Sequence, residues 1–454
     1  MTFTELRQQY PEFIFHGIHT DHAEGRLRIS YTFEIKGLGT FEPKWEIPCE
    51  CPDLQDGTLH RLLNALGMAE LVSYWKITCS PTVRIPMQMT QEQLDWWKQL
   101  YFGGLGEFFY RNGIETDIDS FMSIIPGDDA VSYADAPKKT LSGKLVPVGG
   151  GKDSIVTLNL LKGQLDDACA YQINHRDSSE KAALLAGIPK ERILEPKRTL
   201  DKLMLDCNKR GFLNGHTPFS AIVAFSSVLT AYLHGLHDVI LSNESSASES
   251  TVSEAEVNHQ YSKSYQFERD FFAYERDYLR CGVRYYSLLR PLTEFQIARY
   301  FASCDTKYHE IFRSCNAGAK EDKWCGHCAK CLFVSVILSP FLPLAEIARL
   351  LGAPMFEMPE MESVLQELCG ALPNKPFECV GSRKEVNISL CLAIARAEQN
   401  GEELPLLLRN YKGSPLYSQY AANAADFGQE WDAQHNLPAE LAALVKQECV
   451  DRFR

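Results

Sequence analysis

Residues 144–154 read KLVPVGGGKDS and bring together the residue types that bind phosphate. The apolar run 145–148 predicts a strand. Gly149, Gly150 and Gly151 follow, and then Lys152, Asp153 and Ser154 open the run IVTLNLLK, whose apolar spacing predicts a helix. Strand, glycine turn and helix N-terminus make a cradle. Glycines let the backbone approach closely and take φ > 0, and the free N–H groups and positive dipole end of the helix face an anion. Lys152 adds a positive charge, Asp153 offers a carboxylate to Mg²⁺, and Ser154 offers a hydroxyl to a phosphate oxygen. The Walker A pattern is not met, because Val146 stands at its first glycine and Asp153 follows the lysine. The dinucleotide pattern fails at Ser154. A glycine turn that merely joined strand to helix would not require Lys-Asp-Ser behind it.

A second chemical cluster is Cys315, Cys325, Cys328 and Cys331, spaced C-x₉-C-x₂-C-x₂-C. Tight C-x₂-C pairs let thiolates and backbone amides wrap one tetrahedral ion, and four thiolates predict a closed structural Zn²⁺ site. His327 and Lys330 lie inside the cluster and offset the anionic sulfurs. The same spacing also suits disulfide chemistry or an iron–sulfur cluster.

Groups for proton transfer are concentrated in the run Asn258-His259-Gln260-Tyr261-Ser262-Lys263-Ser264. It closes a serine-rich segment with six serines from Ser242 to Ser253. By composition alone that segment is a flexible loop. Because it leaves the end of a predicted strand, it reads instead as a loop over substrate. His259 and Lys263 share a face if they begin the helix predicted through Arg280. Tyr261 stands behind them, and His216 in the run NGHTPF is a reserve.

These groups need a scaffold. Strands and helices alternate from residue 141 to about 340: strands near 145–148, 169–174, 192–195 and 237–241, with helices near 152–162, 179–187, 200–209 and 219–236. That alternation predicts an α/β fold with a parallel sheet and helices on both faces. Ligands in such sheets sit beyond the carboxyl ends of the strands, which gathers 149–154, 174–177 and Ser242, Asn243 and Glu244 around one crevice. Ahead of it, residues 1–137 predict an α+β domain. Its runs FIFHGIHT, RLRISYTFEI and FEPKWEI alternate as antiparallel strands, and two helical runs follow. The second helical run carries Trp96, Trp97, Tyr101, Phe102, Phe108, Phe109 and Tyr110, an aromatic stripe that belongs in a core. Residues 124–139 read as a linker. From 341 to 454 the pattern is helical, and 377–383 is a loop leading to a helix N-cap. The division is thus 1–137, 138–340 and 341–454.

The 454 residues are 45% hydrophobic and 23% charged, with a net charge of −13, which weighs against a nucleic-acid footprint. Fifteen scattered cysteines and no charged-then-apolar leader point to free thiols in a reducing, cytoplasmic compartment. The weakly charged segment 219–236 is interrupted by Ser220, Ser226, Ser227, Thr230 and His234, so it reads as a buried helix rather than a membrane span. The oligomeric state is not legible.

The string Gly149-Gly150-Gly151-Lys152-Asp153-Ser154 resembles the GGxDS loop of the PP-loop ATP pyrophosphatases, which split ATP between the α and β phosphates. The cysteine cluster resembles the zinc knuckle of the 7-cyano-7-deazaguanine synthases, a PP-loop family, with a slightly different first gap. GGGKDS, SNESSAS, VNHQYSKS and the knuckle together resemble the MurL family of UDP-N-acetylmuramoyl-L-alanyl-L-glutamate epimerases. That resemblance implies inversion of the terminal L-glutamate of UDP-MurNAc-L-Ala-L-Glu to D-glutamate in peptidoglycan synthesis, with ATP and Mg²⁺ consumed as AMP and diphosphate are released. It implies that 149–154 cradle the phosphates, with Ser242 and Asn243 beside them, that Asp153 helps hold Mg²⁺, and that His259, Lys263 and Tyr261 are the proton-transfer candidates. It also gives the N-terminal domain the UDP-sugar to recognise. Two other classes compete: a PP-loop ligase that amidates or thiolates a nucleobase or tRNA, and a nucleotide sensor without chemistry. Incorporation of ammonia or sulfide marks the ligase, and ATP binding without diphosphate release marks the sensor.

Overall fold

The computed structural model describes residues 1–128, 139–248 and 261–454. Its strands are β1 (Glu12–Ala23), β2 (Arg26–Ile35), β3 (Gly39–Phe41), β4 (Lys44–Pro48), β5 (Thr82–Arg84), β6 (Ser123–Ile125), β7 (Lys144–Pro147), β8 (Ala168–Tyr171), β9 (Ile193–Leu194), β10 (Lys197–Thr199), β11 (Asp238–Leu241) and β12 (Arg284–Ser287). They form two sheets. One is seven-stranded, in the order β10-β4-β2-β1-β5-β6 with β3 beside β2. The other is five-stranded, in the order β12-β11-β7-β8-β9, and every pairing in it is parallel.

The first sheet grows from the β1–β2 hairpin, whose turn residues Glu24 and Gly25 both have positive φ. Alternation in β2 buries Leu27, Ile29, Tyr31, Phe33 and Ile35 on one face. The helix Gly57–Trp75 covers that face and is buried along nearly its whole length. Its other side packs on the helix Phe219–Leu233, which in turn lies on β7 and β11. The predicted apolar segment is therefore a layer between sheets, and no helix among the described residues is long and apolar enough to cross a membrane. Neighbouring residues of the parallel strands serve opposite cores. Leu145 and Val239 face the N-terminal side, whereas Val146 and Ile240 face the helices Lys152–Leu160, Glu294–Ala302 and Ala329–Leu338.

Four details go beyond or revise the sequence reading. First, β12 adds a fifth parallel strand. Second, β10, a segment between β9 and the helix Lys202–Lys209, joins the N-terminal sheet antiparallel to β4. It is locked there by Arg198, whose Nε and a terminal nitrogen donate to the two Glu70 carboxylate oxygens at 2.6 and 2.7 Å. Third, Ile124 and Ile125 of the expected linker belong to β6, and 129–138 fall outside the described residues. Fourth, the helix expected to run through Arg280 starts only at Tyr265, because Ser264 caps it by accepting from Phe267 N at 3.2 Å. It passes into a π turn, Glu275–Leu279, and ends at Arg280 with positive φ. The aromatic stripe packs against this helix: Trp97 Nε1 donates to Tyr274 Oη at 3.0 Å and Trp96 Nε1 to Asp270 O at 3.0 Å.

Candidate active site

The glycine loop leaves the carboxyl end of β7 at the sheet's switch point, where the chain order reverses between β7 and β11. Gly150 has φ +79°, and a Cβ there would sit 2.3 Å from Ser178 Oγ. Only glycine meets both conditions. Gly151 is the N-cap of the helix Lys152–Leu160, and a Cβ on Gly149 would meet nothing within 4 Å, so the loop is open on that side. Ser154 Oγ donates to Gly151 O at 3.0 Å. The buried hydroxyls of Ser179 and Ser314 make no hydrogen bond, and both residues lie against the loop: Ser314 Cβ is 3.2 Å from the Cβ position of Gly151, and Ser179 N is 3.1 Å from that of Gly150. Open glycine backbone, a helix N-terminus and two unsatisfied hydroxyl donors fit a polyphosphate.

Beyond the loop lies a knot of buried charge. Lys152 is 1% exposed and pairs with both Asp153 and Glu294. Burial opposes the Lys152 charge, but these two carboxylates outweigh it and hold the ammonium protonated. Burial likewise opposes ionisation of Asp153, yet Lys152, Lys330 and Lys263 keep its carboxyl below the ordinary range. Glu294 goes the other way. Burial pushes it up to about 7, against Lys152 and with help from Asp153 and Glu244. Glu244 is also raised by burial. Asp153 thus keeps its charge beside two carboxyls whose ionisation burial opposes.

Lys263 sits in the short turn Tyr261–Lys263 ahead of the capped helix. Its ammonium donates to Cys379 Sγ at 3.0 Å. Burial lowers its basicity, but Cys379, Glu244 and Asp153 outweigh that, so the group is held above its ordinary range. The guanidinium of Arg290, 1% exposed, donates to Glu244 O and Lys263 O, each at 2.6 Å, and so fastens the positions on either side of 249–260. Tyr261 is buried with its ring against Gly103 and Phe267. Ser242 Oγ meets Thr157 Oγ1 at 2.8 Å, tying the end of β11 to the helix Lys152–Leu160, and Asn243 donates to Ser287 Oγ at 3.1 Å, tying it to the end of β12. His259 lies outside the described residues. His216 Nδ1 stands 3.5 Å from a carboxylate oxygen of Glu107 in the N-terminal region.

The four cysteines converge. The Sγ separations are 3.7 Å for Cys315–Cys328, 3.7 Å for Cys325–Cys331 and 3.6 Å for Cys328–Cys331, and all four sulfurs lie within 4.8 Å of one another. A tetrahedron with zinc–sulfur bonds of about 2.3 Å has edges of about 3.8 Å, so the spacing suits zinc. The cluster braces the glycine loop. Arg313 N donates to Gly150 O at 2.7 Å, and Asp322 accepts from the backbone and hydroxyl of Ser178 at 2.6 and 2.7 Å.

Two contributors had little signal in the sequence. Glu294 reaches Lys152 from 142 residues away, and its only local cue is the capping box of Thr293 and Gln296. Cys379 sits in a loop of the C-terminal region, held by Lys330 through its own carbonyl and by Lys375 Nζ, which donates to Gly381 O at 2.9 Å.

Comparison with known proteins agrees along the chain. Residues 4–288 match the model of the MurL N-terminal domain, and residues 300–415 that of the MurL C-terminal domain. The UDP-N-acetyl-alpha-D-muramoyl-L-alanyl-L-glutamate epimerase of Salinispora tropica is 34% identical over 364 residues, 78% of this chain and 77% of that one. Its namesake in Xanthomonas oryzae pv. oryzae is 33% identical over 75% of this chain and 76% of its own, and that of a Micromonospora species is 31% identical over 88% and 89%. No solved structure matches. By both domain models and by these relatives, the chain belongs to the MurL family.

Proposed function

We propose that this protein is an ATP-dependent epimerase that inverts the terminal L-glutamate of UDP-MurNAc-L-Ala-L-Glu to D-glutamate for peptidoglycan precursor synthesis in the cytoplasm. The observation that carries the reading is the match to epimerases of that name across three-quarters or more of both chains. The glycine cradle supplies the route. The glutamate carboxylate attacks the α-phosphorus of ATP, the bond to the β-phosphate breaks, and diphosphate leaves. An acyl adenylate no longer carries the carboxylate's negative charge, so its Cα–H is far more acidic and a positioned base can remove the proton. Return of a proton to the other face inverts the centre, and hydrolysis releases AMP.

In this scheme Gly149, Gly150, Gly151, Lys152 and Ser154 hold the phosphates, and Ser242 and Asn243 shape the neighbouring strand end. Asp153 holds Mg²⁺, which would neutralise phosphate charge as diphosphate departs. The cysteines carry a structural Zn²⁺. Residues 1–137 recognise the UDP-sugar, 138–340 carry the adenylation chemistry, and 341–454 close the site with the 377–383 loop. His259 remains a proton-transfer candidate. Lys263, buried and held as an ammonium, suits charge stabilisation better than proton abstraction. The cysteine knuckle alone favours a ligase of the 7-cyano-7-deazaguanine synthase type.

The deciding experiment incubates the protein with ATP, Mg²⁺ and UDP-MurNAc-L-Ala-L-Glu in D₂O. Diphosphate together with D-glutamate carrying α-deuterium is the expected outcome. Folded, ATP-binding protein that gives neither overturns the reading, and incorporation of nitrogen or sulfur into a nucleobase or tRNA in a parallel incubation supplied with ammonia or sulfide establishes the ligase.

A further inference from the structure

Resting on the epimerase reading, the geometry points to Cys379 as the base that removes the α-proton from one face of the activated glutamate. Three observations meet at this residue. Its sulfur accepts from the Lys263 ammonium at 3.0 Å. Its backbone is pinned from several sides: Lys330 donates to its carbonyl, Asn316 Nδ2 donates to the neighbouring Glu378 carboxylate at 2.6 Å, and Lys375 donates to Gly381 O at 2.9 Å. The pair belongs to the same charged crevice as the glycine loop, because Lys263 interacts with Asp153 and Glu244, and Glu244 with Lys152 and Cys379.

Three neighbouring groups are occupied otherwise. Lys263 is a protonated donor to the sulfur. Lys152 is committed to Asp153 and Glu294. Tyr261 has its ring packed under Gly103. Thiolates are proton acceptors as well as nucleophiles. Cys379 itself is half-buried rather than sealed in the core.

The step balances as follows. The Cα–H bond breaks, the proton passes to Cys379 Sγ, and the bonding electrons move onto the acyl oxygen as an enolate. A proton of solvent origin bonds to the opposite face of Cα as the acyl carbonyl re-forms, and the thiol returns its own proton to water. Lys263 keeps its proton throughout and offsets negative charge first on sulfur and then on the enolate. It is a positioning residue, whereas Cys379 touches the reacting atom.

The test splits activation from exchange. Wild type, Cys379→Ala and Cys379→Ser are each incubated with ATP, Mg²⁺ and UDP-MurNAc-L-Ala-L-Glu in D₂O, and diphosphate and α-deuterium are read separately. Both variants are expected to lose α-deuterium incorporation by at least about 100-fold, the scale of a missing general base, while diphosphate release still depends on the substrate. Serine preserves the donor–acceptor pair with Lys263 but is a far poorer base. Retained exchange in Cys379→Ser alone would therefore make the residue structural and overturn the proposal. Wild-type exchange in both variants would overturn it too, as would loss of diphosphate release in step with exchange. Failure of the epimerase reading is seen separately, as absence of diphosphate and exchange in the wild type.

Discussion

Two of the buried-charge arrangements among the described residues are built differently. In the N-terminal layer, Glu70 is fully buried. One of its oxygens accepts from Trp45 Nε1 at 2.8 Å and Arg198 Nε at 2.6 Å, and the other accepts from Arg198 at 2.7 Å. Every charge there has a fixed partner, and the pair joins β10 to the helix behind the sheet. At the carboxyl edge of the parallel sheet, three lysines and three carboxyls crowd together. Glu294 is driven up to about 7, and Ser179 and Ser314 hold unsatisfied hydroxyls. The first arrangement has its charges paired within one ion pair, whereas the second lies beside an open glycine loop. Burial of charge alone does not mark a site; crowding of like charges at such a loop makes it a candidate.

Removing what braces the crevice from outside is the largest way to break this contrast. Structural zinc contributes on the order of 10 kcal/mol of binding free energy. Cys331, fully buried, is the ligand whose loss solvent cannot readily make good. Cys331→Ser should lose the metal, melt at a markedly lower temperature and release little diphosphate, because Arg313 and Asp322 then no longer steady the glycine loop and Ser178. Metal analysis and thermal unfolding decide it. A metal-free variant with wild-type melting and diphosphate release would separate cluster from loop.

A matched pair of substitutions sharpens the comparison. Arg198→Met strands Glu70 without its cation in a fully buried site, which costs about 3–5 kcal/mol. Its folded fraction should keep normal chemistry. Lys152→Met also deletes one partner of a buried pair, but Glu294 already lies near neutrality and can take a proton instead of standing charged. The stability loss is therefore smaller, at about 1–2 kcal/mol. Diphosphate release should fall about 100- to 1,000-fold, as when a charge-stabilising donor is lost. Denaturant titration and the diphosphate assay on both variants check the two halves. Equal losses in each would show that the regions do not differ.

The same contrast explains what the sequence could reveal. GGGKDS and the C-x₂-C pairs are contiguous, so chemistry and spacing appear together in one string. The apolar run 219–236 carried its layer position in its own pattern. By contrast, β10 is three residues long and carries no alternation, so only the Arg198–Glu70 pair assigns it to the other sheet. Glu294, Arg290 and Cys379 reach the crevice from a helix start, a turn and a loop far along the chain. Lys263 stands ahead of the helix expected to include it, since Ser264 caps that helix and Tyr265 is its first residue. Periodicity finds helices better than it finds their first residue.

Tyr261 provides the smallest and most discriminating measurement. Only 8% exposed, it fills the space above Gly103, where a Cβ would come within 2.9 Å of the ring. Burial pushes its phenol up to about 12, which makes it a poor base at neutral pH. If the ring holds the turn that carries Lys263, Tyr261→Phe should change stability by no more than about 1 kcal/mol and leave diphosphate release and α-deuterium exchange at wild-type rates. Tyr261→Ala should instead cost about 3–5 kcal/mol through the cavity it leaves. Loss of exchange in Tyr261→Phe with diphosphate release intact would move proton transfer to the phenol and place Tyr261 among the incompletely paired groups of the crevice. Unchanged exchange keeps it with the packed aromatics of the helix Tyr265–Tyr274, whose Phe267 ring it touches.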